Sequence, residues 1–114
     1  MKEGVQNLEV KCAELGEKLA GKASEKVLNE ALAVLEEQGV YAAFLYLRAR
    51  HGNIAGELLS ACQAFLRDVF PLTKEDPLET AKELAQNLDN LLFARELLRT
   101  AFAYARYHVK VREA

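Results

Sequence analysis

Apolar residues recur along this chain at steps of three and four, the spacing that puts them on one side of a helix, with polar residues on the other. From Val5, the residues Leu8, Cys12, Leu15 and Leu19 mark a first amphipathic helix, which Gly21 ends. Ser24 is placed to cap a second helix carrying Val27, Ala31, Val34 and Leu35. Gln38-Gly39 breaks or bends it, and Val40 to Arg50 reads as a third helix, apolar on all sides in its first two turns and therefore expected in the middle of a bundle. His51-Gly52 closes that helix, since glycine accepts the left-handed conformation found just past helix ends. Asn53 can cap a fourth, with Ile54, Leu58, Cys62, Phe65 and Val69 as its stripe and Pro71 as its stop.

The last helix has the clearest start. In Asp76-Pro77-Leu78-Glu79, Asp76 is the expected cap, Pro77 takes the first helical position, and Glu79 stands where a capping-box partner belongs. The pattern predicts one helix from there to about Val109, some 30 residues and roughly 45 Å. No alternating run bounded by turns suggests a strand. The expected fold class is all-α: a compact bundle of about five helices with a long C-terminal helix, as a single domain over residues 1–114.

Composition agrees and adds one asymmetry. The chain is 51% hydrophobic and 28% charged, which suits a globular domain rather than a disordered segment. The longest apolar run, Val40 to Leu47, is eight residues, against roughly 20 needed to span a bilayer. With no apolar signal core in Met1-Lys2-Glu3-Gly4, a cytoplasmic location without membrane contact is expected. Cys12 and Cys62 fall on apolar stripes and read as core side chains rather than a disulfide. The net charge of −2 conceals a division: residues 1–94 sum to −5 and residues 95–114 to +3.

The sequence offers little catalytic chemistry. Its cysteines and histidines, Cys12, His51, Cys62 and His108, have none of the spacings of a metal site, and no glycine-rich loop could cradle phosphate, so no metal or cofactor is expected. Helical ribonucleases of the HEPN type set an arginine a short fixed distance ahead of a histidine. The corresponding positions are Tyr46, Leu45 and Phe44 before His51, and Ala103, Phe102 and Ala101 before His108, none of them arginine. Glu36-Glu37 and Lys74-Glu75-Asp76 read as solvated charges. A protein that is not an enzyme is expected.

The last helix carries the pattern that asks for a partner. Its stripe runs Leu84, Leu88, Leu91, Arg95, Leu98, Phe102, Ala105, Val109, in steps of four and three that Arg95 interrupts. At about 100° per residue, Arg106, Arg99 and Lys110 fall roughly 20°, 40° and 60° round from Arg95, a basic ridge about 22 Å long beside the apolar face. Within the helix, Glu96 can reach Arg99 and Glu113 can reach Lys110, while Arg95 and Arg106 have no local partner. Arg48 and Arg50 add two cations at the end of the third helix. Such a ridge can favour the helix dipole, or Arg95 can meet a carboxylate on a neighbouring helix. It can also bind phosphate through arginine forks, with Tyr104, Tyr107 and His108 nearby for stacking on single-stranded nucleic acid.

The stretch from Leu35 through Gln38-Gly39 and Phe44-Leu45 to Ala49-Arg50 resembles the small all-helical subunit of the type III-B (Cmr) CRISPR RNA-guided effector complex, in which a helix ends in a polar-Gly pair before an apolar helix closed by a basic residue. The run Arg95 to Lys110 is similar to that family's last helix. Gln38 stands where Asn is common there, and Tyr104 or its neighbours where Trp is common. The resemblance implies a non-catalytic subunit stacked along a ribonucleoprotein, with other effector-complex subunits and guide/target RNA as partners. The RNA-backbone contacts would then be Arg95, Arg99, Arg106 and Lys110, with Arg48 and Arg50 secondary. The alternative is a helical protein–protein interaction module or obligate homodimer with no nucleic-acid role.

Overall fold

A computed structural model describes the backbone of residues 2–113 and the side chains of residues 8–113. Its five helices are α1 (Lys2–Ala20), α2 (Glu25–Gln38), α3 (Val40–Val69), α4 (Pro77–Leu84) and α5 (Leu88–Glu113), with no strand among the described residues. The all-α bundle with a long C-terminal helix is therefore the fold, though one expected break is a kink rather than a loop and one expected helix is split in two.

The first difference is at Gly52. The expected third and fourth helices follow one another within α3 without a loop, meeting at a kink where Gly52 adopts φ 49° and ψ −118°. One residue with no Cβ turns the chain there at little steric cost, so the break expected at His51-Gly52 is present as a kink, and the second helical stretch follows directly from it. Nor is the first half of α3 wrapped on all sides. Val40, Ala43, Phe44 and Leu47 are buried, whereas Tyr41 and Leu45 reach solvent.

The second difference splits the expected last helix. The chain leaves α4 through a tight turn in which the amides of Gln86 and Asn87 donate to Glu83 O (3.2 Å) and Leu84 O (3.1 Å). Asn87 then starts α5: its side-chain oxygen accepts the Asn90 amide at 3.0 Å, and its carbonyl accepts that of Leu91 at 2.9 Å. The apolar stripe is correspondingly broken. Leu84 is buried on α4 but Leu88 is 65% exposed, and continuous burial on α5 sets in only from Ala94.

Other signals act as expected. Ser24 caps α2 by accepting the Val27 amide at 3.3 Å. Asp76 caps α4 by accepting the amides of Leu78 and Glu79 at 3.0 and 3.2 Å, with Pro77 in the first turn. Glu79 does not complete a capping box; its carboxylate turns to Lys82 at 3.4 Å. The segment before Asp76 is instead held from α3 and α4. Glu83 accepts the Thr73 and Lys74 amides and the Thr73 hydroxyl, and Lys74 O accepts from Gln63 Nε2 at 2.8 Å and Thr80 Oγ1 at 3.3 Å.

One hydrophobic cluster joins all five helices, with Leu19, Leu28, Phe44, Leu47, Leu58, Leu66, Leu84, Leu98 and Val109 sealed from solvent. Helices α1 and α5 run in the same direction: Cys12 lies against Leu97, and Gly16 against Ala101 and Tyr104. A Cβ on Gly16 would stand 2.6 Å from Tyr104 Cβ and 2.8 Å from Ala101 O, so this crossing needs glycine. Gly16 and Gly56 thus sit inside helices rather than punctuating them. Helix α2 lies antiparallel to α5 on its other flank. Both cysteines are buried and unpaired, and burial pushes the Cys62 thiol up to about 12. Among the described residues, no helix is long and apolar enough to cross a membrane.

Candidate nucleic-acid interface

The sequence places Arg95, Arg99, Arg106 and Lys110 along one edge of α5. In the fold this edge faces α2, and α2 supplies the anions that α5 lacks. Lys110 Nζ pairs with Glu25 at 2.8 Å. Arg99 pairs with Glu96 on its own helix at 2.8 Å and with Glu36 across the groove at 4.0 Å. Its guanidinium is held above the usual arginine range by the Glu96 hydrogen bond and charge, and the same contact lowers the Glu96 carboxyl. Arg95 donates to the backbone carbonyl of Glu36. That places a cation on the last turn of α2, where carbonyls have no helical partner and the dipole is negative.

These contacts answer the question left open by the ridge. Arg95 meets a neighbouring helix, but through a carbonyl rather than a carboxylate. The compensation of Arg99 and Lys110 follows from matched spacing once α2 is known to lie antiparallel to α5. Glu25 and Glu36 are eleven residues apart on α2, as are Arg99 and Lys110 on α5. Eleven residues is about three turns and leaves a side chain within roughly 20° of its starting direction. Two antiparallel helices with matched spacings therefore align both pairs at once. A search confined to partners within α5 could not find them.

Arg106 differs from its neighbours. It is half-buried, has no ion-pair partner among the described residues, and its Nε is sealed from solvent without a hydrogen bond. On the same flank, Arg95 and Leu92 line two adjoining hollows. One, of about 400 Å³, is lined by Glu36, Glu96 and Arg99 as well. The other, of about 170 Å³, runs in among Gly39, Val40, Tyr41, Ala81, Ala85 and Leu91. The result is a charged groove opening into an apolar notch. A wider hollow, about 630 Å³, lies elsewhere, an open trough beside Lys18, Gly56 and Ser60 that the Lys22–Glu57 ion pair, 3.7 Å, borders.

Arg48 and Arg50 do not join this edge. Arg48 reaches across to Asp76 at 3.2 Å, bracing the start of α4. Arg50 stacks over the Tyr46 ring at 5.6 Å, beside a cluster in which Glu30 accepts the Tyr46 hydroxyl at 2.6 Å and faces His51 Nε2 at 3.4 Å. The Tyr46 hydrogen bond lowers the Glu30 carboxyl and raises the Tyr46 phenol. Glu30 projects about 140° round α2 from Glu25, so this cluster and the α5 row occupy different sides of the helix.

His51 thus sits beside Glu30 with its Nε2 buried and without a well-aligned hydrogen bond, a grouping the sequence reading did not anticipate because it joins two helices. None of the hollows just described is lined by His51 or His108. Among the described residues, no three histidine, cysteine or carboxylate side chains come together as a metal ion would require. Comparison with known proteins brings no matching family model, curated protein or solved structure.

Proposed function

We propose that this chain is a non-catalytic helical subunit that acts by assembly, and that its setting is an RNA-guided effector complex in which α5 meets RNA backbone. The carrying observation is the α5 edge, where the outward Arg99 and Lys110 flank Arg106, whose Nε has no partner. A guanidinium already stripped of water on one side and lacking a carboxylate is suited to a phosphate oxygen. The pairs made by Arg99 and Lys110 are solvent-exposed and exchangeable, so phosphate can displace their carboxylates. The apolar notch between Tyr41 and Leu92, beyond the Arg95 end of the row, supports a protein neighbour there. The resemblance carried by Leu35–Arg50 and Arg95–Lys110 names the complex.

Titration of the pure protein against labelled single-stranded RNA at about 50 and 150 mM salt tests the RNA part. Binding is expected to be weak and salt-sensitive, and to fall with Arg99→Glu and Arg106→Glu. Undetectable binding at low salt, or binding indifferent to both substitutions, overturns it. A second reading, an interaction module with no nucleic-acid role, is favoured by Glu25 and Glu36 already answering Lys110 and Arg99. It predicts that indifferent result.

A further inference from the structure

The two carboxylates that share a hollow with Arg95 both turn to its neighbour. Glu96 pairs with Arg99 at 2.8 Å and Glu36 at 4.0 Å, while Arg95 holds only the neutral carbonyl of Glu36 and has no ion pair among the described residues. That carbonyl ends α2, and α3 begins at once on the other side of Gly39. The two helix ends carry about −0.5 and +0.5 of an elementary charge and largely cancel. The guanidinium therefore keeps its positive charge, and its remaining N–H donors offer the planar fork that suits a carboxylate.

Arg95 also lines the apolar notch where α2, α3, α4 and α5 converge. Val40 and Ala81, each 1% exposed, form the floor of the notch, and Tyr41 and Leu92, 40% and 48% exposed, form its rim. No carboxylate lines it, and Lys82 lies over the Tyr41 ring at 6.0 Å. Its volume of about 170 Å³ is below the ~300 Å³ at which pockets begin to take a drug-sized molecule, so it fits one apolar group the size of a side chain. A nucleobase would press its polar edge against aliphatic walls, which disfavours RNA in the notch itself.

We infer that the notch binds a branched aliphatic or aromatic group that carries a carboxylate, with the apolar group between Tyr41 and Leu92 and the carboxylate on Arg95. A short free acid has this chemistry, and so does an apolar residue at the C-terminus of a partner chain. The inference goes beyond the RNA reading, because it uses neither Arg106 nor a phosphate.

The test is titration of the isotope-labelled full chain, without RNA and at neutral pH, with isocaproate to about 50 mM, followed by amide NMR. Saturable shifts are expected at Gly39, Tyr41 and Ala85, with a dissociation constant on the order of 1 mM, as suits so small a ligand. Isocaproamide, of the same shape without the charge, is expected to bind at least about tenfold more weakly, as is the acid to Arg95→Gln. Ala85→Leu supplies a second variant. Ala85 is exposed in helical geometry at the end of α4, so leucine is tolerated there, and its side chain is expected to fill the notch and abolish the shifts. The tripeptide Gly-Gly-Leu with a free C-terminus distinguishes the sources. Tighter binding than isocaproate identifies the ligand as a chain end, and equal or weaker binding as a free acid. The inference is overturned if neither probe gives a saturable shift, if the amide binds as well as the acid, or if both variants bind the acid unchanged. As no RNA is present, these failures are distinct from a failure of RNA binding.

Discussion

Two glycines in helix interiors show how much a single Cβ decides in this fold. At Gly16 the added carbon would press on Tyr104 Cβ and Ala101 O, and neither can move without separating α1 from α5. Gly16→Ala gains about 1 kcal/mol of helix propensity but overpacks the crossing, with a net expected loss of about 1–2 kcal/mol in urea unfolding. At Gly56 a Cβ meets nothing within 4 Å, so Gly56→Ala is expected to stabilise by roughly 0.5–1 kcal/mol. Equal effects from the two would show that the α1–α5 approach is looser than described. Glu83 acts by charge instead. The Thr73 amide, with the Thr73 hydroxyl and Lys74 amide, holds its carboxyl below the ordinary value of 4.5. A depressed folded pKa contributes stability above the ordinary value and loses it as pH falls through the folded one. Glu83→Gln is therefore expected to lower the urea midpoint at neutral pH, with the difference from the native chain shrinking as pH falls below 4.5. Neither role was legible beforehand. Gly16 looks like any glycine until its neighbour is known, and the partners of Glu83 lie in a loop.

At the level of helices, the sequence announced starts more clearly than stops. Ser24 and Asp76-Pro77 were legible because a cap is local chemistry: an oxygen, an amide two or three residues on, and a proline where its missing N–H costs nothing. Gly52 was legible as a break because glycine there accepts a backbone conformation other residues avoid. Asn87 was missed because an apolar period continues through it, and periodicity reports spacing, not axis. Asn87, with its side chain on the Asn90 amide, is the device that turns α4 into α5. Asn87→Ala is expected to cost about 1 kcal/mol, read in urea unfolding. If the loss were negligible, the turn would owe its shape to packing of Leu84 and Leu91 rather than to the cap.

Across the whole molecule, the charge asymmetry of the chain is largely folded away. The acidic excess of residues 1–94 includes Glu25 and Glu36, and the fold lays both beside the cations of α5. Sequence could show the two regions but not that one would cover the other. Replacing both carboxylates, Glu25→Gln with Glu36→Gln, uncovers Arg99 and Lys110. RNA affinity should then rise, with a salt dependence steeper by about 0.7 for each phosphate newly engaged on a single strand. An unchanged affinity and slope would count against the RNA reading.

The contact of Gly16 with Ala101 and Tyr104 also has a consequence in time. It joins the first helix to the last, with Cys12 and Leu97 separated by 85 residues. Helical proteins usually fold quickly because their contacts are local, and a closure of this span slows that. During synthesis, the side of α1 at Cys12 and Gly16 lacks its α5 cover until α5 leaves the ribosome. A chain ended at Arg95 should accordingly lose its cooperative unfolding transition, although four of its five helices are complete. If it kept one, the bundle would close without its last strut.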